Sequence, residues 1–136
     1  KQKSSMFGIP DPNVRLDPTP IAQLDLKGRQ LAVVGGTDGL GRAIARLAAA
    51  RGAAVTVVGR TFRDQGVSGV TFLQADLASM KEAAQLGREL PVQGLDTVVF
   101  TTGIIAAKTR EQTAERIERD MAISYLSRLA AVRELA

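Results

Sequence analysis

The residues best suited to chemistry lie in the run Gly35-Gly36-Thr37-Asp38-Gly39-Leu40-Gly41, where glycines recur as Gly-x-x-x-Gly-x-Gly. Glycine reaches positive φ without penalty, and its missing Cβ lets backbone approach a diphosphate closely. If a helix opens near Leu40, its free N–H groups and its dipole favour an anion at that point. Gly35, Thr37, Asp38, Gly39, Leu40 and Gly41 are therefore candidate nucleotide-binding residues. A methyl group on Gly39 or Gly41 is expected to meet the diphosphate or the neighbouring strand. The same spacing also serves a tight strand-to-helix turn that holds no ligand.

Three further places agree with a nucleotide site. Gly59-Arg60-Thr61 follows an apolar run and has no acid in it. A dinucleotide fold reads the ribose there, with an acid for a 2′-OH or an arginine for a 2′-phosphate. The fork of donors on Arg60 suits phosphate, which favours NADP(H) over NAD(H); a solvated arginine at a strand end is the plainer reading. Arg42, on the first turn of the helix, either contributes or points to solvent. Asp76-Leu77 offers a carboxylate for an adenine amino group and an apolar flank for the ring, or simply an acid at a helix start. Thr101-Thr102-Gly103 is small enough to leave room for a ribose, which makes Thr102 and Gly103 candidates.

The composition removes other chemistries. The 136 residues hold no histidine and no cysteine, so the commonest general base, thiolate catalysis and disulfides are excluded. No metal site is expected. The net charge of +4 comes from 18 basic and 14 acidic side chains scattered along the chain. No block of like charge marks a nucleic-acid partner. A bilayer span needs about 20 apolar residues, and no run approaches that. The first residues lack the apolar stretch of a secretory signal, and Asp11 and Asp17 argue against a transit peptide. A cytoplasmic location is expected, with an organelle matrix as the alternative.

These residues need a scaffold that brings strand ends together. Leu31-Ala32-Val33-Val34 reads as a strand buried on both faces. Leu40, Ile44, Leu47 and Ala48 recur at helical spacing and Gly52 stops the helix. Strands follow at 55–58 and 70–73. Ser79 and Glu82 form a capping-box pattern for a helix to about Leu90, which Pro91 and Gly94 break. A strand spans 97–100, and a last helix is expected to start near Thr109 or Thr113. Read as alternating β and α elements, the chain is an α/β, Rossmann-like, doubly wound parallel sheet. Residues 1–28, with Pro10, Pro12, Pro18 and Pro20, form a Pro-rich N-terminal segment extended over a surface or partly disordered. Residues 29–136 form the dinucleotide-binding domain. The apolar residues of the last helix spread over more than one face, which points to a homo-oligomer or larger assembly through it.

On the loop and on Asp76-Leu77 the sequence resembles the first half of a short-chain dehydrogenase/reductase. That family's Thr-Gly-x-x-x-Gly-x-Gly falls on Val34 to Gly41, with Val34 in place of threonine. Its Asn-Asn-Ala-Gly falls on Phe100-Thr101-Thr102-Gly103, where only the glycine matches, and its active-site asparagine falls on Ser124. The resemblance covers about residues 28–136. It implies strand order 3-2-1-4 with more strands to follow, so that the fold would be incomplete here. It also implies hydride transfer between a nicotinamide and a small-molecule carbonyl or alcohol substrate. No Tyr-x-x-x-Lys pair is present, and Tyr125, followed four positions on by Leu129, is expected only to pack on its helix, so no catalytic residue is assigned. The alternative is a non-catalytic structural or regulatory subunit of a larger assembly.

Overall fold

The computed structural model describes residues 13, 19–90, 94–105 and 107–135. Most of the proline-rich segment, and Pro91, lie outside the described residues. Within 19–28, a 3₁₀ turn at Ile21–Gln23 leads to Leu26, whose N–H donates to the Arg51 carbonyl at 2.9 Å. Leu26 packs against the core.

The strands are β1 (Gln30–Val34), β2 (Ala54–Gly59), β3 (Val70–Gln74) and β4 (Thr97–Phe100). They form one parallel sheet in the order β3-β2-β1-β4, the order that the resemblance implies. The register pairs Val33 with Val57 and Val99, and Val57 with Phe72. Helix α1 (Gly39–Ala50) covers one face, where Ala45 and Ala48 pack on Val33, Val55 and Val57. Helices α2 (Met80–Glu89) and α3 (Ser127–Glu134) cover the other, over Ala32, Val34 and Val58. Both faces of β1 are therefore buried, which is why its apolar run does not alternate. Among the described residues no helix is long and apolar enough to cross a membrane.

Three expectations need correction. First, the strict alternation fails between β2 and β3, because residues 60–69 cross over without a helix. Positive φ at Gly66 and Gly69 turns this segment. It is held to the body by buried Asp64 and by Phe62, whose ring stacks on Phe72 at 5.0 Å. Second, the last helix does not start near Thr109 or Thr113. Residues 109–118 make a bend in which the Thr113 N–H donates to the Ile117 carbonyl at 2.8 Å and Arg116 takes φ 64°. The chain then winds as a π-helix over Met121–Leu126 and continues into α3. The Glu118 carboxylate starts this helix, accepting from the N–H groups of Asp120 and Met121. Third, Tyr125 does not pack: it is 55% exposed, on a stripe with Met121, Leu129 and Val132. The opposite side buries Ala122, Ser127 and Ala131, so two faces carry apolar residues.

Helix α2 begins as half of a capping box. The Ser79 hydroxyl accepts from the Glu82 N–H at 3.3 Å, but the Glu82 carboxylate turns to the Asp76 N–H at 2.6 Å. Glu115 from the distant bend completes the cap, accepting from the Met80 N–H at 2.8 Å and from Lys81 N–H and the Ser79 hydroxyl. Those donors, led by Met80, hold its carboxyl below its ordinary pKa.

Candidate functional site

The carboxyl ends of all the strands open on one cleft of about 440 Å³, within the usual range for a ligand site. Gly35, Thr37, Asp38, Gly39, Leu40, Gly41, Arg60, Asp76, Leu77, Thr102 and Gly103 all line it. The turn after β1 sets its floor. The Gly35 N–H donates to the Val58 carbonyl at 2.9 Å, and Gly35 takes φ 88°. Asp38 caps α1 through its carboxylate, which accepts from the Gly39 N–H at 2.9 Å. The N–H groups of Leu40 and Gly41 fall in the first turn, where no helical carbonyl can accept from them.

Close packing restricts Gly41 but not Gly39. A Cβ on Gly41 would collide with the Gly35 carbonyl and the Thr101 hydroxyl, while one on Gly39 would meet nothing within 4 Å. The neighbouring strand therefore does not obstruct a methyl on Gly39, and the constraint the protein itself imposes there is a backbone at φ 50°. Thr37 is buried and fills the space over Gly59, which has no room for a Cβ.

Arg60 is exposed just beyond β2. Its carbonyl accepts from Gln74 Nε2, and its guanidinium has no hydrogen bond or ion pair among the described residues. Arg42 is committed elsewhere. Its Nη2 donates to Asp64 Oδ1 at 2.8 Å and its Nε contacts both carboxylate oxygens at 3.1 Å, with Arg46 at 3.6 Å. The Arg42 hydrogen bond, and then the neighbouring charges, hold the Asp64 carboxyl below its ordinary pKa against its burial. Arg42 therefore neither points to solvent nor reaches the cleft. Asp76 is exposed and accepts from the Ala78 N–H at 3.0 Å through Oδ1, whereas Leu77 is buried.

At the β4 end, the Thr101 hydroxyl donates toward the Val34 and Gly35 carbonyls, each at 3.2 Å, tying β4 to the glycine turn. Ser124 lies beside Gly103 and its hydroxyl donates to Asp120 Oδ1 at 2.5 Å. Arg128 crosses from α3 to donate to the Thr102 carbonyl at 2.6 Å. The sequence reading missed this contact, and also missed Arg119 and Ile123 in the lining, because it began the last helix too early. A dinucleotide fits what is present: free N–H groups at a helix start, open space over the backbone at Gly39, and a buried Thr102 hydroxyl with no partner among the described residues.

A family model described as short chain dehydrogenase matches residues 29–136. An uncharacterized oxidoreductase of Saccharomyces cerevisiae is 42% identical over 134 residues, covering 96% of this chain and 43% of the relative. A solved short chain dehydrogenase/reductase family protein is 30% identical with a TM-score of 0.65, covering 82% of this chain and 50% of that one. Pseudomonas aeruginosa RhlG, solved as an NADP active-site complex, is 26% identical with a TM-score of 0.63, covering 82% of this chain and 46% of that one. The chain thus spans about half the length of these relatives, or less. With its glycine turn, its 3-2-1-4 sheet and this match, the chain belongs to the short-chain dehydrogenase family.

Proposed function

We propose that the cleft binds NADP(H) in preference to NAD(H), and that this chain is the cofactor-holding part of an oxidoreductase acting on a carbonyl or alcohol. The carrying observation is Arg60, an exposed guanidinium without a partner among the described residues, at the β2 end where a ribose is read. The binding residues are those named from the sequence. The first turn of α1 faces the diphosphate, Asp76 and Leu77 flank the base, and Thr102 and Gly103 leave room for a ribose. The bound nicotinamide would supply or accept the hydride, and the protein orients it. RhlG, with NADP in its active site, is the similar structure that favours this choice.

Changing Arg60 to Ala is expected to weaken NADP(H) by about 1.5–3 kcal/mol, the range for a hydrogen bond to a charged group, with NAD(H) unaffected. Calorimetric titration reads both. Equal losses for the two cofactors would overturn the preference.

A non-catalytic role for the same fold is favoured by two hydroxyls that are already spent: Thr101 on backbone carbonyls and Ser124 on Asp120. A protein that binds NADPH yet never oxidises it with any carbonyl would support that reading. The exposed stripe Met121, Tyr125, Leu129 and Val132 supports assembly through the last helix, because an ordinary surface helix has a single apolar face. Sedimentation is expected to show a species larger than one chain, and a monomer that binds no hydrophobic dye would refute it.

A further inference from the structure

Asp38 is an odd residue to find beside a phosphate. Its carboxylate is 72% exposed, lines the cleft and sits at the positive end of α1, where a bound anion would be repelled by it. Arg63 lies against it, with Nη1 3.3 Å from Asp38 Oδ1. Arg63 is presented by a fixed stretch of chain. Its neighbour Phe62 stacks on Phe72, and its neighbour Asp64 is clamped by Arg42 and Arg46. Among the described residues, Arg42 and Arg46 pair with Asp64 and Arg119 pairs with Glu111, whereas Arg60 has no ion pair. With Arg63 in place, Asp38 is offset by an opposite charge and Arg60 is left as a cleft-lining cation with no ion pair among the described residues.

We propose that Arg63 sets cofactor selectivity through Asp38: it is a positioning residue whose guanidinium cancels the Asp38 carboxylate and so lets this end of the cleft accept a ribose 2′-phosphate. The inference rests on the reading of Arg60 as the 2′-phosphate ligand. Arg63 acts on the phosphate through Asp38, so its loss matters only while the carboxylate is there.

The test is calorimetric titration of the 136-residue chain with NADP⁺ and with NAD⁺, for the parent, Arg63→Ala, Asp38→Asn and the double variant. Asparagine keeps the helix cap, and thermal melting checks each fold. Arg63→Ala is expected to weaken NADP⁺ about three- to fivefold, as for an exposed ion pair, and to weaken NAD⁺ less, because NAD⁺ brings only the diphosphate, and no 2′-phosphate, to the bared Asp38. The double variant is expected to bind NADP⁺ as tightly as Asp38→Asn alone. An unchanged Arg63→Ala overturns the proposal. So does a loss that persists fully in the Asp38→Asn background, because Arg63 would then touch the phosphate itself. Equal losses for both cofactors overturn it as well. A parent that does not discriminate NADP⁺ from NAD⁺ fails the underlying Arg60 reading instead.

Discussion

Gly41→Ala is expected to lose both nucleotide binding and much of the stability of the chain. The added methyl would collide with the Gly35 carbonyl, come within 2.9 Å of the Gly35 carbonyl carbon and strike the Thr101 hydroxyl. None of these is a free side-chain end. Gly35 is held by its hydrogen bond to Val58, and Thr101 by its bonds to Val34 and Gly35. Either α1 lifts from the glycine turn or the end of β4 moves, and both form the floor of the cleft. Overpacking a tight contact costs about 1–3 kcal/mol and sometimes more, and Gly41 belongs at the upper end because backbone must give way. Gly39→Ala is the control. Its methyl meets no protein atom within 4 Å, so it controls for folding alone, at the cost of the left-handed backbone, about 1 kcal/mol. Urea denaturation with nucleotide titration separates the two. A Gly41→Ala protein that unfolds and binds like the parent would show that α1 does not rest on Gly35.

That contrast also shows what was legible in the sequence. β1 was readable because a parallel strand buried on both faces has to be a continuous apolar run, as 31–34 is, and the others because 55–58, 70–73 and 97–100 are short runs of β-branched and aromatic residues. The residues of the cleft were readable because strand ends in a parallel sheet share an edge, and every candidate residue named from the sequence lines it. What was not legible depends on partners far along the chain. Arg42 turns from the cleft because Asp64, 22 positions away, is buried within reach. Glu82 does not close its own capping box, because the Ser79 N–H already donates to the Asp76 carbonyl, and it is Glu115, from beyond β4, that caps the N–H groups of Met80 and Lys81. The stretch 109–118 is rich in helix-favouring Glu and Arg, yet it bends so that Glu115 can make that contact. Local propensity lost there to a tertiary contact.

A second large effect is expected at Gly87→Ala, far from the cleft. Gly87 is the point of closest approach of α2 and α3, where a Cβ would collide with the Ala131 carbonyl and lie 2.8 Å from the Glu134 Cβ. Ala131 is buried, and the Arg88–Glu134 ion pair at 3.0 Å further holds the helices together, so α3 has to move as a body. The cost is about 1–3 kcal/mol, which for a domain of this size lowers Tm by roughly 5–15 °C. The functional consequence follows from what α3 and the preceding π-helix carry. Ile123 lines the cleft, Ser124 lies beside Gly103, and Arg128 holds the Thr102 carbonyl. Displacing α3 pulls Arg128 from Thr102 and releases the end of β4, so nucleotide affinity is expected to fall together with Tm. Gly66→Ala is the comparison, because its methyl meets nothing within 4 Å and only its φ of 83° is strained. If Gly87→Ala lowers Tm but leaves nucleotide affinity at the parent value, α3 adjusts without disturbing Thr102. In that case Arg128 does not couple the helix pair to the cleft.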